Sequence, residues 1–147
     1  AGNRYFTLVW GSVDPSGHRL RYVNAGHVPP LLVRRRPDGG IEVERLGTGG
    51  PVVGLLPGAS FSAGEARFGD GDLLVAFSDG LSEATNAGDE EFGSERILDA
   101  VAAHLDRPTK EVLARVLESV RAYCGSEPLR DDLCLLVVRA RAAVAGS

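Results

Sequence analysis

The stretch GDLLVAFSDGLSEA, Gly71–Ala84, sets the frame for the whole chain. It emerges from Gly69-Asp70-Gly71-Asp72, a cluster of turn formers. Leu73-Leu74-Val75-Ala76-Phe77 follows without a polar interruption. A short apolar run bounded by turn signals predicts a strand covered on both faces. Polarity then flips at Ser78-Asp79-Gly80. A carboxylate stands where a core strand ends, followed by a glycine that lets the backbone turn sharply or admits a close neighbour. Glu83 comes one helical turn later.

A second acidic point lies far along the chain. Arg130-Asp131-Asp132 immediately precedes Leu133-Cys134-Leu135-Leu136-Val137-Val138, another apolar strand. One carboxylate ends a core strand and another begins one, so antiparallel pairing of the two would set both acids at the same end of a sheet. Ionised carboxylates a few ångströms apart repel unless a cation stabilises them. A divalent ion with oxygen ligands, Mg²⁺ or Mn²⁺, suits such a rim. Asp at a strand end also serves simply as a turn former. These positions by themselves leave a metal rim and a pair of plain turns both open.

The 147 residues suffice for one domain with a real core. With 44% apolar and 24% charged residues, the composition is that of a soluble globular domain. A net charge of −4 and the lack of a basic stripe argue against nucleic acid as a partner. No apolar run approaches the roughly 20 residues of a membrane helix, and no secretory signal is visible. Cys124 and Cys134 form no disulfide framework and are expected reduced, with a cytoplasmic location as the default. The chain contains no Met and enters a strand almost at once, so it reads as a piece of a larger protein.

In chain order, Tyr5–Val13 predicts a strand, Asp14-Pro15-Ser16-Gly17 a turn, and Arg19–Ala25 the returning strand of a hairpin. Pro29-Pro30 blocks its continuation. Leu31–Arg35 and Ile41–Leu46 form a second hairpin. Arg34-Arg35-Arg36 reads as a solvated strand end, with Glu42 and Glu44 able to pair across to it. Gly47–Pro51 is a loop, Val52–Leu56 a short apolar segment, and Phe61–Phe68 a strand leading into the central one. Beyond the loop Asn86–Gly93, Ser94 predicts a helix N-cap, with Ile97, Leu98, Val101 and Leu105 at helical spacing. Pro108 opens a second helix whose stripe runs Val112, Leu113, Val116, Leu117, Val120, Tyr123, capped by Gly125. Leu133–Arg139 is the last strand, and Ala140–Ser147 a frayed tail. Sequential hairpins followed by segregated helices predict an α+β fold with a mostly antiparallel sheet. The apolar central strands require cover on the face away from the helices, and a second sheet suits that need.

Five motifs then fall in order: LRYVNAGHVPPLL at Leu20–Leu32, PVVGLLPG at Pro51–Gly58, GDGDLLVAFSDGLSEATN at Gly69–Asn86, EEFGSERI at Glu90–Ile97 and RDDLCLLVV at Arg130–Val138. Together they resemble the metal-dependent serine/threonine phosphatases of the protein phosphatase 2C superfamily. The likeness is closest to the bacterial branch typified by the sporulation phosphatase SpoIIE and the stress phosphatase RsbU. The resemblance implies two mostly antiparallel sheets in a sandwich flanked by helices, a four-layer αββα fold whose N-terminal portion is missing here. It implies two Mn²⁺ or Mg²⁺ ions in the complete domain, and hydrolysis of phosphoserine or phosphothreonine by a metal-activated water. It implies a phosphoprotein substrate such as an anti-anti-sigma factor, with an upstream sensor domain in the parent protein.

Residue by residue, the resemblance places Asp79 and Asp131 as metal ligands, with Asp132 ligating or orienting Asp131, and Gly80 supplying close backbone approach. His27, in Asn24-Ala25-Gly26-His27, falls near the site, as an acid or ligand at the metal edge or, the favoured reading, as a structural cap of the strand end. Glu83 is likewise ambiguous, since a carboxylate in a first helical turn is favourable whatever its function. The family's opening Gly-Asp-Val-x-Gly-His-Gly motif is absent, and Asp14, in a hairpin turn, inherits no ligand role. Without that motif, a non-catalytic binding module of the same fold is the alternative reading of this chain.

Overall fold

The computed structural model describes residues 4–14, 16 and 18–142; Pro15 and Gly17 of the first turn, and most of the expected tail, lie outside them. In chain order the strands are β1 (Leu8–Asp14), β2 (Arg19–Ala25), β3 (Leu31–Arg35), β4 (Ile41–Arg45), β5 (Gly49–Gly50), β6 (Gly64–Arg67) and β7 (Leu73–Phe77). Three helices follow, α1 (Asp79–Ser82), α2 (Gly93–Ala103) and α3 (Thr109–Cys124), and then β8 (Leu135–Arg139).

The strands form two sheets, and the architecture is the expected α+β sandwich. One sheet runs β4-β3-β7-β8, antiparallel throughout. In the other, β2 is flanked by β1 on one side and by antiparallel β6 and the short, parallel β5 on the other. Period-two alternation divides the core. On β3 and β7, Leu31, Val33, Leu73, Val75 and Phe77 pack against Ile97, Val101, Val112, Val116 and Val120 of the helices. Leu32 points the other way and joins Leu20, Tyr22, Leu46, Ala66 and Phe68 between the sheets, with Leu74 partly buried against them. Each fully buried aliphatic contributes about 1.5–3 kcal/mol. The helices cover one sheet, the second sheet covers its other face, and β1 leaves Leu8, Trp10 and Val13 exposed. No helix among the described residues is long and apolar enough to cross a membrane.

Several boundaries differ from the sequence expectation. Strand β1 begins at Leu8, and Phe6 makes only a lone bridge to Val53. Helix α2 starts at Gly93, with Phe92 rather than Ser94 at its N-cap and no side-chain cap bond. Phe92 is buried, edge-on to Tyr123 with ring centroids 5.4 Å apart, so packing fixes this helix start instead of capping. Pro108 sits one residue before α3, and Gly125 ends that helix at φ +61°. The strand expected over Phe61–Phe68 shrinks to β6, and in the apolar segment before it Leu55 and Leu56 are exposed. Strand β8 starts two residues late and forms the edge of its sheet, so Leu136 and Val138 on its helix-distal face stay exposed. Arg34 is not solvated. It is buried where the sheets meet, bonded to Glu42 and Glu44 as expected and also to the Arg67 carbonyl of β6.

Candidate metal centre

The last rung between β7 and β8 joins Phe77 to Leu135. Because the strands are antiparallel, the residues that follow Phe77 meet those that precede Leu135. Ser78 extends the seam. Its backbone N–H donates to the Cys134 carbonyl at 3.0 Å, its hydroxyl accepts the Cys134 N–H at 3.0 Å, and the same hydroxyl donates to the Asp132 carbonyl at 3.2 Å. The loop carrying Asp131 and Asp132 is thus fastened beside the start of α1.

Gly80 completes the approach. A β-carbon there would stand 2.5 Å from the Asp132 carbonyl oxygen and 3.3 Å from the Asp131 β-carbon. Glycine is needed because the backbone of the acidic loop occupies the space a side chain would take. Asp79 and Asp131, 52 positions apart, therefore share one rim.

The carboxylates on that rim face water. Asp79 is the first residue of α1, and its Oδ1 accepts the Gly80 N–H at 3.0 Å. Asp131 Oδ1 accepts the Asp132 N–H at 2.8 Å. These local bonds leave carboxylate lone pairs free on each. Helix α1 is only four residues long, so Glu83 lies at its C-cap and not in a first helical turn. Glu83 does reach the site, lining a hollow of about 210 Å³ together with Gly80, Asp89, Arg130 and Asp131.

His27 belongs to the loop between β2 and β3, at the same end of the sandwich, since Leu31 pairs with Val75 near the end of β7. Its backbone N–H donates to Asn24 Oδ1 at 2.8 Å, and its ring Nδ1 donates to the Val28 carbonyl at 2.7 Å. Asn24 Nδ2 in turn donates to the His27 and Leu46 carbonyls. Asn24 is buried, and the group closes the strand end as a structural cap.

Asp79, Asp131 and Asp132 offer the hard oxygen donors that Mg²⁺ and Mn²⁺ take. Among the described residues, however, no group of three His, Cys, Asp or Glu side chains is arranged to hold a metal ion. The donors fit a divalent cation in kind and fall short of one in number.

Sequence reasoning passed over Ser78, which fastens the seam, and the pair Asp89–Arg130, whose side chains meet at 2.7 Å across the hollow. A hydroxyl directly before the strand-end Asp was the available signal for Ser78. Nothing local announces that Asp89 meets Arg130, 41 positions away.

The family model of stage II sporulation protein E (SpoIIE) matches residues 1–141 of the chain. Phosphoserine phosphatase RsbP of Bacillus subtilis is 25% identical over 91% of the chain, which spans 30% of that protein. The SiaA-PP2C domain of Pseudomonas aeruginosa superposes with TM-score 0.73 at 25% identity, over 90% of this chain and 50% of that one. The structure of the RsbU and RsbW domains of Rv1364c from Mycobacterium tuberculosis gives TM-score 0.74 at 28% identity, over 92% of this chain and 36% of that one. The chain spans 20–30% of the length of the curated relatives it matches.

Proposed function

Because this chain belongs to the stage II sporulation protein E family, we propose that it forms part of a metal-dependent protein serine/threonine phosphatase domain. In this reading the parent hydrolyses phosphoserine or phosphothreonine on a bacterial regulatory protein, of the anti-anti-sigma class. The observation that carries the reading is the packing of the Asp131–Asp132 backbone onto Gly80, beside Asp79. Two acidic segments distant in sequence are built into one exposed rim. Likeness to a phosphoserine phosphatase and to RsbU-containing and PP2C structures supports the substrate class.

Asp79, Asp131 and Asp132 would hold the cation, Mn²⁺ or Mg²⁺, with Ser78 and Gly80 fixing the loop that carries two of them. Bound divalent cations supply Lewis acidity that activates water and neutralises charge on a phosphoryl group. The test is Mn²⁺-dependent phosphate release from a phosphoserine protein by the full-length parent. Asp79→Asn should abolish it, and undiminished turnover in that variant would end the reading.

One observation favours a second reading, a partner-binding module of the same fold without catalysis: no three donors are grouped among the described residues. Calorimetry of the full-length parent with Mn²⁺ separates the two. A binding module gives no heat and no change on Asp131→Ala, whereas a phosphatase binds the ion and loses it in that variant.

A further inference from the structure

We propose that Arg130 is the residue that takes the phosphoryl anion of the substrate, and that its ion pair with Asp89 is where it rests between substrates. The identity of the anion rests on the phosphatase reading above. The placement of the arginine does not.

Arg130 directly precedes Asp131 and lines two hollows. One is shared with Gly80, Glu83, Asp89 and Asp131, the other with Asp131 and Asp132. Among the described residues, Arg130 is the only cation lining the first hollow, whose other charged residues are Glu83, Asp89, Glu91 and Asp131. A phosphate ester approaching this rim meets carboxylates on every side except at Arg130.

The present partner of Arg130 is a weak one. Arg130 Nη2 lies 2.7 Å from Asp89 Oδ1, with the side chains 68% and 73% exposed. An exposed pair of this kind shifts an equilibrium by about fivefold at most. A phosphate dianion offers more charge and a bidentate match to the guanidinium fork, so it competes effectively for Arg130. The backbone that carries Asp89 is fixed. It adopts φ +59° in a turn closed by Asn86, whose Oδ1 accepts the N–H groups of Gly88 and Glu90, while the Asp89 N–H donates to the Asn86 carbonyl. Arg130 can leave, and the resting place remains.

This arrangement predicts opposite signs for the two members of one ion pair. If Asp89 merely latched the acidic loop through Arg130, removing either residue would harm anion binding alike. If Asp89 competes with the anion, its removal helps. The experiment titrates inorganic phosphate into the Mn²⁺-loaded full-length parent by calorimetry, and follows a phosphoserine peptide kinetically in parallel. Arg130→Ala should weaken phosphate binding about tenfold or more and lower kcat/KM by at least a similar factor. Asp89→Ala should tighten phosphate binding by up to about fivefold. Should Arg130→Ala fail to fold, Arg130→Gln preserves side-chain length and carries the same expectation. Phosphate affinity that is undetectable in the wild type, unchanged in the Arg130 variants, or weakened by Asp89→Ala overturns the proposal. Phosphate binding that depends on Arg130 in a parent that releases nothing from phosphopeptides supports it while removing the phosphatase reading.

Discussion

Gly80 stands so close to the Asp132 carbonyl that a β-carbon on it would lie 2.5 Å from that oxygen. The obstruction is backbone, which cannot rotate aside like the end of a flexible side chain. Gly80→Ala should therefore push the acidic loop outward at a cost of about 1–3 kcal/mol, the range for overpacking. Gly47→Ala is the matched control, because the nearest atom to its β-carbon is 3.9 Å away, ordinary contact. Urea denaturation of the two variants should show a lowered midpoint for Gly80→Ala alone. Equal midpoints would mean that the close approach constrains nothing.

Ser78 does three jobs with two groups, since its N–H, and its hydroxyl as both donor and acceptor, bridge to Asp132 and Cys134. Ser78→Ala keeps the backbone bond and removes the two made by the hydroxyl. The Cys134 N–H and the Asp132 carbonyl then turn to water, a loss of about 0.5–1.5 kcal/mol for each bond. The readout should be local. Amide hydrogen exchange at Cys134 should quicken, while Val75 and Val138, whose N–H groups face neighbouring strands in the middle of the sheet, keep their protection. Unaltered exchange at Cys134 would show that the hydroxyl holds nothing.

How much of this the sequence revealed depends on the range of each signal. Period-two alternation and turn residues gave β2 and β3 with their observed bounds and β4 to within one residue, because a strand's inward face is written locally. The approach of the Asp131–Asp132 loop to the end of β7 was legible because two apolar strands, one ending and one beginning in acid, pair antiparallel. Arg34 was misplaced because three consecutive arginines look solvated. Its burial depends on Asp72, 38 positions later, and on the Arg67 carbonyl of the other sheet. Strand β5 was missed because Gly49-Gly50 has no side chains to carry a pattern, and only the tertiary fold lays it beside Asn24 and Ala25. The start of α2 escaped because the burial of Phe92 outweighed the capping preference of Ser94.

The end of β2 carries a second dependence. Asn24 is 4% exposed and spends its side chain on three backbone groups, the His27 N–H and the His27 and Leu46 carbonyls. Asn24→Ala strands all three in or near the core, and about 1–3 kcal/mol for each unsatisfied group puts the total above that of most single substitutions. Asn24→Asp retains the acceptor for the His27 N–H but opposes a carboxylate to two carbonyl oxygens, so it should fare little better. Thermal unfolding checks both. If Asn24→Ala melts with the wild type, the strand-end cap is ornamental and His27 must be held by other means.

Arg34 presents the sharpest energetic case. With its side chain 8% exposed, it places Nη1 3.0 Å from Glu42, Nη2 2.8 Å from Glu44 and 2.6 Å from the Arg67 carbonyl, and Nε 3.5 Å from Asp72 without hydrogen-bond geometry. Glu42 and Glu44 retain access to water, but the Asp72 side chain is 6% exposed, so its charge depends on Arg34. Removing the arginine leaves that carboxylate uncompensated, and breaking a buried pair from one side costs about 3–5 kcal/mol. Arg34→Met should therefore be strongly destabilising even though it preserves the apolar stem. Replacing both partners is a different matter, because well-packed uncharged groups often equal a buried ion pair. Asp72→Asn can still accept the Gly69 N–H that Asp72 Oδ2 now accepts at 2.8 Å. The double variant Arg34→Met, Asp72→Asn should recover much of the stability lost in Arg34→Met. A double-mutant cycle in urea measures the difference, and strictly additive losses would show that Arg34 and Asp72 do not act as a pair.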